Sequence, residues 1–310
     1  MATYIIKRLA HAIVVLWVVI TITFLLMHAI PGGPFTSERN LPPVVLKNIE
    51  TKYKLTDPLY IQYLDYLKNL LKGDLGPSFK HEDRTVNEII TEAIPISFQL
   101  GFESIVLAIL VGIPVGIGAA LHRGHWQDRI LNLTTTFGIA VPSFILASLA
   151  VLIFAIKLRL LPAAMWGGWK YHIMPAITLS LGPMAIITRL TRSSMLDVLG
   201  QDYIKTAKAK GLSPLTIFCK HALPNALIPV VTYLGPMAAG ILTGSFVIES
   251  IFAIPGIGCY FVTGIYNRDY TLILGVTIFY SLLIVVMNVL VDLVYPLLDP
   301  RIKLTGQKGE

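Results

Sequence analysis

The chain has 310 residues, of which 55% are hydrophobic and only 14% charged, and its net charge is +7. A soluble domain has about a quarter of its residues charged, so this composition excludes an ordinary soluble enzyme or nucleic-acid binder. It points to an all-α, multi-spanning membrane protein whose cations are held mostly on the cytoplasmic side. After Lys7-Arg8, residues 9–30 run for a bilayer's thickness without an ionised residue. A signal peptide would have a shorter apolar core and a small-residue cleavage site. This segment ends in His28-Ala29-Ile30-Pro31-Gly32-Gly33-Pro34 and reads as a retained first span within residues 1–30.

Residues 31–95 are the one sizeable polar region and read as a small helical domain on the outer face. Asp57 can cap and Pro58 can start a helix whose Tyr60, Tyr63, Leu64, Leu67 and Leu71 share a face, with Gly73 ending it. A stripe of this kind is usually core. Thr85-Val86-Asn87-Glu88 has the form of a capping box, followed by Ile89, Ile90 and Ala93 until Pro95 stops the run.

Residues 96–299 form the transmembrane core, with spans at about 98–121, 134–156, 173–199, 226–248 and 272–298, and residues 300–310 are a tail. Gly112-x-x-x-Gly116 and Gly240-x-x-x-Gly244 offer close-packing faces in two of these spans. Residues 122–133 read as a short loop and 249–271 as a loop rich in Gly and Pro. Residues 157–172 carry Trp166, Trp169 and Tyr171, which suit the headgroup level. The apolar run from 173 continues as one helix into the polar 188–199. Lys and Arg number thirteen on the side of the termini, against four in the two short loops opposite, which places both termini in the cytoplasm. Cys219 and Cys259 then fall on opposite sides of the bilayer, so no disulfide is expected.

There is no Walker A sequence, HExxH, GxSxG or GxGxxG between a strand and a helix. His122-x-x-His125 with Asp128 offers too few ligands for a metal. The chain shows no catalytic centre and no energy source of its own. Glu103 and Glu249 fall near the outer ends of spans, either as hydrated interfacial carboxylates or as an acidic rim attracting a cationic substrate group. Asp292 lies closer to the cytoplasm and suits pairing with a basic loop.

The largest cytoplasmic polar island is 202–226, DYIKTAKAKGLSPLTIFCKHALPNA. On a helical wheel Tyr203, Ile204, Ala207 and Gly211 gather on one side, with Lys205, Lys208 and Lys210 outside that arc. Gly211 can end the helix in a left-handed conformation sealed by Leu212. Ser213-Pro214 then supplies an N-cap and a first-turn proline, and Leu215, Ile217 and Phe218 lead back toward the membrane until Pro224. Two short helices at a fixed corner fit either a groove on a protein partner or the lipid surface, with Lys toward anionic headgroups.

Gly211 followed thirteen residues later by Pro224 resembles the EAA loop of ABC importer permeases. The Glu-Ala-Ala positions hold Lys205, Thr206 and Ala207, a departure similar to the D-Y-x-x-T-A-x-A-x-G form of the peptide-transporter branch, running here through Asp202, Tyr203, Lys208, Ala209, Lys210 and Gly211. Gly73-Asp74-Leu75-Gly76, Glu249-x-x-Phe252-x-x-Pro255-Gly256-x-Gly258, Arg268-Asp269-Tyr270 and Asp299-Pro300-Arg301 also resemble the B-type permease subunit of dipeptide and oligopeptide importers, and Pro31-Gly32-Gly33-Pro34 is more similar to the oligopeptide members. The resemblance covers nearly the whole chain. It implies a six-span type I ABC importer permease in a bacterial cytoplasmic membrane, paired with a C-type permease. Two cytoplasmic ATPase subunits would hold the ATP and Mg, and an extracytoplasmic peptide-binding protein would deliver substrate; this chain would bind no cofactor. It implies that Asp202 to Pro214, with Pro224, couple to an ATPase. The alternatives are a nickel or other small-solute permease of the same superfamily, and a stand-alone secondary transporter. The latter would show internal repeats and a midplane ion site, and the sequence has neither.

Overall fold

The computed structural model describes residues 2–30, 55–81, 83–242 and 244–298. The Pro31-to-Pro34 and Asp299-to-Arg301 motifs and the tail lie outside the described residues. Helices are α1 (Ala2–Ala29), α2 (Leu59–Leu70), α3 (Val86–Leu121), α4 (Trp126–Ala140), α5 (Ser143–Lys157), α6 (Lys170–Leu199), α7 (Asp202–Ala209), α8 (214–242), α9 (Phe246–Ile251), α10 (Ile257–Asn267) and α11 (Tyr270–Leu298). Among the described residues five helices are long and apolar enough to cross a membrane, or six if the bent pair α4–α5 is one span. By contacts the chain divides into two units, Met1–Ile96 with Pro255–Val285, and Ser97–Ile254 with Val286–Glu310.

In the first unit α2 packs on α1. The Tyr63 hydroxyl lies 2.6 Å from Thr21 Oγ1, the Phe24 ring is 5.2 Å from that of Tyr63, and His28 Nε2 is 3.2 Å from Gln62 Oε1. The apolar stripe does not form a core, since Tyr60, Leu64 and Leu71 are 67%, 60% and 90% exposed. Asp57 does not cap α2 either: Pro58 occupies the N-cap position, and Asp57 offers its backbone carbonyl to Gln62 Nε2 at 2.8 Å. A capping side chain must sit at the N-cap itself, so Asp57 is one residue early.

The capping box forms as its sequence prescribes. Thr85 Oγ1 accepts from the Glu88 amide (3.2 Å), and Glu88 Oε2 accepts from the Thr85 amide (3.0 Å). Val86, Ile89, Ile90 and Ala93 then bury themselves against Ile257, Leu272, Val276 and Tyr280. Pro95 does not stop this helix, which continues to Leu121. Proline disfavours a helical residue before it, but Ile94 is packed against this core, and the loss of one backbone bond is tolerated.

Two motifs far apart in sequence meet in this unit. The loop of Gly73 (φ +78°) to Gly76 (φ +86°) is held by Asn87, whose Oδ1 accepts from the Leu75 amide (2.9 Å) and whose Nδ2 donates to Gly73 O (2.7 Å). The fully buried Asp269 accepts from the Ser78 hydroxyl, the Phe79 amide (3.1 Å) and the Leu272 amide (3.2 Å), and Thr271 donates to Pro77 O at 2.6 Å. Residues 249–271 are therefore no simple loop, for they contain α10 and this anchored turn. Asp269→Ala leaves buried donors unpaired and is expected to lower stability by about 2–3 kcal/mol, read as a fall in the melting temperature of the purified protein.

In the second unit the close approach of α3 and α6 is set by glycine. A Cβ on Gly112 would lie 2.9 Å from Ile187 Cγ2, and one on Gly116 only 2.6 Å from Thr188 O and 2.7 Å from Thr191 Cβ. The Thr188 hydroxyl donates to Gly112 O at 3.2 Å across this seam. A Cβ on Gly240 of the second GxxxG would meet nothing within 4 Å among the described residues, whereas one on Gly101 would lie 3.0 Å from Ile241 O. Ala108, Ile187, Val230 and Met237 fill the adjacent core. The polar continuation of α6 to Leu199 is one unbroken helix, as its sequence predicts.

Three boundaries differ from the sequence reading. Residues 126–133 are helical, so the loop after α3 shrinks to 122–125. The expected third span is two helices, α4 and α5, bent by 102° from one another. Val141 is extended (φ −86°, ψ 122°) before Pro142, the conformation that the residue preceding proline favours. The fifth apolar run starts at Pro214 rather than 226, and α8 ends at Leu242, before the short α9.

Candidate functional site: the 202–226 hairpin

The hairpin lies wholly in the second unit. α7 has Asp202 in its first turn and Lys208 in its last, each the favourable sign for the helix dipole. Ile204 and Ala207, three residues apart, are 0% and 6% exposed. They pack with Ala120 of α3, Met195 of α6, and Ile217, Ala222 and Ala226 of α8. Lys205, Thr206, Lys208, Ala209 and Lys210 are exposed. The Tyr203 hydroxyl accepts from Asn225 Nδ2 at 3.3 Å.

The corner is defined atom by atom. The Gly211 amide donates to Lys208 O (3.0 Å) and the Leu212 amide to Ala207 O (3.3 Å), the paired bonds of a Schellman motif, with Gly211 at φ +75°. Ser213 is the next N-cap, its Oγ accepting from the Thr216 amide at 3.2 Å, and Pro214 is in the first turn. The second arm is not a short helix ending at Pro224. It widens into a π-helical stretch at Ile217–Ala222 and continues through Pro224 to Leu242. Proline interrupts a spanning helix little when its neighbours are packed, and Ala222 and Ala226 are both 0% exposed. The corner is thus the end of a long helix, with α7 clamped across its base.

The other candidate residues have separate roles. His172 Nδ1 lies 2.9 Å from Glu103 Oε1, Gln99 Nε2 donates to the same carboxylate (2.9 Å), and Trp166 stacks on His172 at 3.9 Å. The sequence offered Trp166 only as a headgroup anchor, and His172 carried no signal. Glu249 is 0% exposed and accepts from the Ser245 amide (3.2 Å) at the start of α9. Asp128 is taken by Arg192, whose Nε lies 2.6 Å from Oδ1 and whose other nitrogen lies 2.8 Å from Oδ2. The same carboxylate accepts from the Gly124 amide (3.0 Å) and Asn132 (3.1 Å). Among the described residues no group of three or more His, Cys, Asp or Glu could hold a metal, and neither Cys219 nor Cys259 is in a disulfide. Asp128→Ala strands Arg192 and is expected to cost about 2–3 kcal/mol. Its effect on the melting temperature should exceed that of Asp128→Asn, which keeps hydrogen bonds.

A family model described as binding-protein-dependent transport system inner membrane component matches residues 112–304, and the N-terminal model of the same kind of membrane component matches residues 1–101. The chain belongs to this family. The permease is 52% identical over 304 residues to the dipeptide transport system permease protein DppB of Bacillus subtilis (strain 168), covering 98% of this chain and 99% of that one. It is 48% identical over 305 residues to the oligopeptide transport system permease protein OppB of Haemophilus influenzae, covering 98% and 100%. A solved structure of similar fold, an inward-facing conformation of the MetNI methionine ABC transporter, aligns with a TM-score of 0.57 at 17% identity, covering 68% of this chain and 96% of that chain. The permease is a multi-pass membrane component, and its family places it among the membrane parts of such systems rather than their ATPases.

Proposed function

We propose that this chain is the permease subunit of an ATP-driven peptide importer and that its 202–226 hairpin transmits ATPase movement to the spans. The reading is supported above all by the rigid corner at Gly211 to Pro214, in a chain nearly full-length similar to both dipeptide and oligopeptide permeases. Ile204 and Ala207 pack against α3, α6 and α8 at once, so a partner that displaces α7 moves three helix ends together. The assembly would comprise this chain, a C-type permease, two ATPases and an extracytoplasmic binding protein, with both termini of this chain in the cytoplasm and ATP and Mg held by the ATPases. Residues 31–95 would face the binding protein, 96–299 would form the core of the path, and Glu103 and Glu249 would stand near its outer end. Dipeptide- and oligopeptide-type relatives match almost equally, so both peptide lengths belong in the test. Reconstitution with the partners should give ATP hydrolysis stimulated by peptide-loaded binding protein. Stimulation by nickel or another small solute, with none by peptides, would replace this reading.

A further inference from the structure

Away from the hairpin, the first unit contains a cavity of about 290 Å³, near the lower end of the range for small-molecule sites. The C-terminal end of α1, α2, the loop from Asp74 to Phe79 and the start of α11 bound it. Asp57, Asp65 and Asp74 line it, and among the described residues no Lys or Arg does, in a chain whose net charge is +7. Phe24, Tyr66, Phe79 and Tyr270 contribute four aromatic rings. Two polar neighbours are already engaged. His28 Nδ1 lies 2.8 Å from Phe24 O and its Nε2 3.2 Å from Gln62 Oε1, while Gln62 Nε2 donates to Leu55 O (3.2 Å) and Asp57 O (2.8 Å). Three groups retain capacity. Asp57 and Asp74 enter no ion pair among the described residues, and Asp74 Oδ1 accepts from the Gly76 amide at 2.9 Å. The Tyr66 hydroxyl is buried without a hydrogen-bond partner among the described residues. Burial pushes this hydroxyl above its usual range, so it stays neutral with an accepting oxygen. Buried polar atoms are normally paired, and an orphan calls for a partner from outside the chain.

We infer that this cavity holds a primary ammonium group on a short alkyl arm, taken from a soluble amine or from a lipid headgroup. Asp57, Asp74 and the Tyr66 oxygen accept its N–H bonds, and the ring faces suit both the charge and the methylenes. A metal ion fits less well. It needs several ligands converging on one point, and among the described residues no group of three or more His, Cys, Asp or Glu does so. An anion is repelled by the carboxylates, and an apolar ligand would desolvate them without pairing them. With the N-terminus in the cytoplasm, as proposed above, Phe24 and His28 near the end of α1 place the cavity at the outer headgroup level, within reach of both sources.

The test titrates cadaverine, pentanediol and magnesium chloride into the full-length permease in an uncharged maltoside detergent, for wild type, Asp57→Asn/Asp74→Asn and Tyr66→Phe. Cadaverine should bind saturably and pentanediol should not. The double variant keeps the side-chain shapes and should weaken cadaverine binding by about tenfold. Tyr66→Phe should weaken it by about threefold and should melt no lower than wild type, since the hydroxyl has no partner to lose. Equal cadaverine binding by wild type and the double variant would overturn the inference. So would displacement of cadaverine by an equal concentration of magnesium, which would make this a divalent-cation site. In nanodiscs, cadaverine affinity that falls as phosphatidylethanolamine replaces phosphatidylcholine assigns the ammonium to the lipid. Affinity independent of that lipid assigns it to the soluble amine, and either result keeps the site. Sidedness plays no part in detergent, so a failure there leaves the proposed topology and coupling role standing.

Discussion

Gly211→Pro is expected to reduce peptide-stimulated ATP hydrolysis by the reconstituted importer at least tenfold while the purified permease remains folded. Gly211 sits at φ +75°, and its amide donates to Lys208 O. Proline fixes φ near −65° and has no N–H, so it can adopt neither the conformation nor the bond. Both Schellman bonds then fail, because the Leu212 amide reaches Ala207 O only through the left-handed turn. The spans are insulated from this change. No atom lies within 4 Å of where a Cβ on Gly211 would be, and Ile204 and Ala207 keep their places in the core. The expected signature is therefore lost coupling with a nearly unchanged melting temperature. Preserved peptide stimulation in this variant would show that the corner does not carry the motion. Gly211→Ala separates the two defects, since it keeps the amide but pays for the positive φ by about 1 kcal/mol, and it should retain partial coupling.

The second large effect is structural. Gly116→Leu is expected to abolish recovery of folded permease from detergent, with Gly116→Ala intermediate. The Cβ alone would come within 2.6 Å of Thr188 O and 2.7 Å of Thr191 Cβ. The first of these is backbone, so no side-chain rotation relieves it; α3 and α6 must separate. Separation would also break the Thr188–Gly112 hydrogen bond. Overpacking of this kind costs about 1–3 kcal/mol and occasionally more. In lipid, where helix association depends on close contact rather than on release of water, there is little to offset it. Gly118, where an added Cβ would meet nothing within 4 Å, is the control: Gly118→Ala should leave recovery and melting temperature unchanged. Equal behaviour of the Gly116 and Gly118 variants in size-exclusion and melting assays would remove the seam as the determinant of packing.

The hairpin that dominated the sequence reading keeps its central place, with a changed shape. Its cap, its glycine turn and its buried face were legible because each depends on bonds within a few residues: Ser213 with Thr216, Gly211 with Lys208, Ile204 beside Ala207. Its second arm was not. Pro224 reads as a stop when only the chain is considered, yet the helix runs through it because Ala222 and Ala226 are locked in a core built from α3, α6 and α7. Glu103 and Glu249 illustrate the same limit. Both were expected near the ends of spans, and the partners that their carboxylates meet, His172 with Gln99 in one case and the Ser245 amide in the other, are matters of folded geometry.

The sequence by itself determined the membrane class, the order of the apolar runs, the capping box at Thr85 to Glu88 and the family, since all of these rest on composition, local periodicity or short motifs. Only the tertiary structure decided what several prolines and glycines inside the long helices do. Pro95 lies inside a continuous helix because Ala93 and Ile94 are held in a core, whereas a 102° bend between two helices falls at Pro142, with Val141 extended before it. A Cβ added at Gly116 would collide with another helix, and one added at Gly240 would not. These residues permit several backbone outcomes at similar local cost, and the choice among them is made by neighbours distant in the chain.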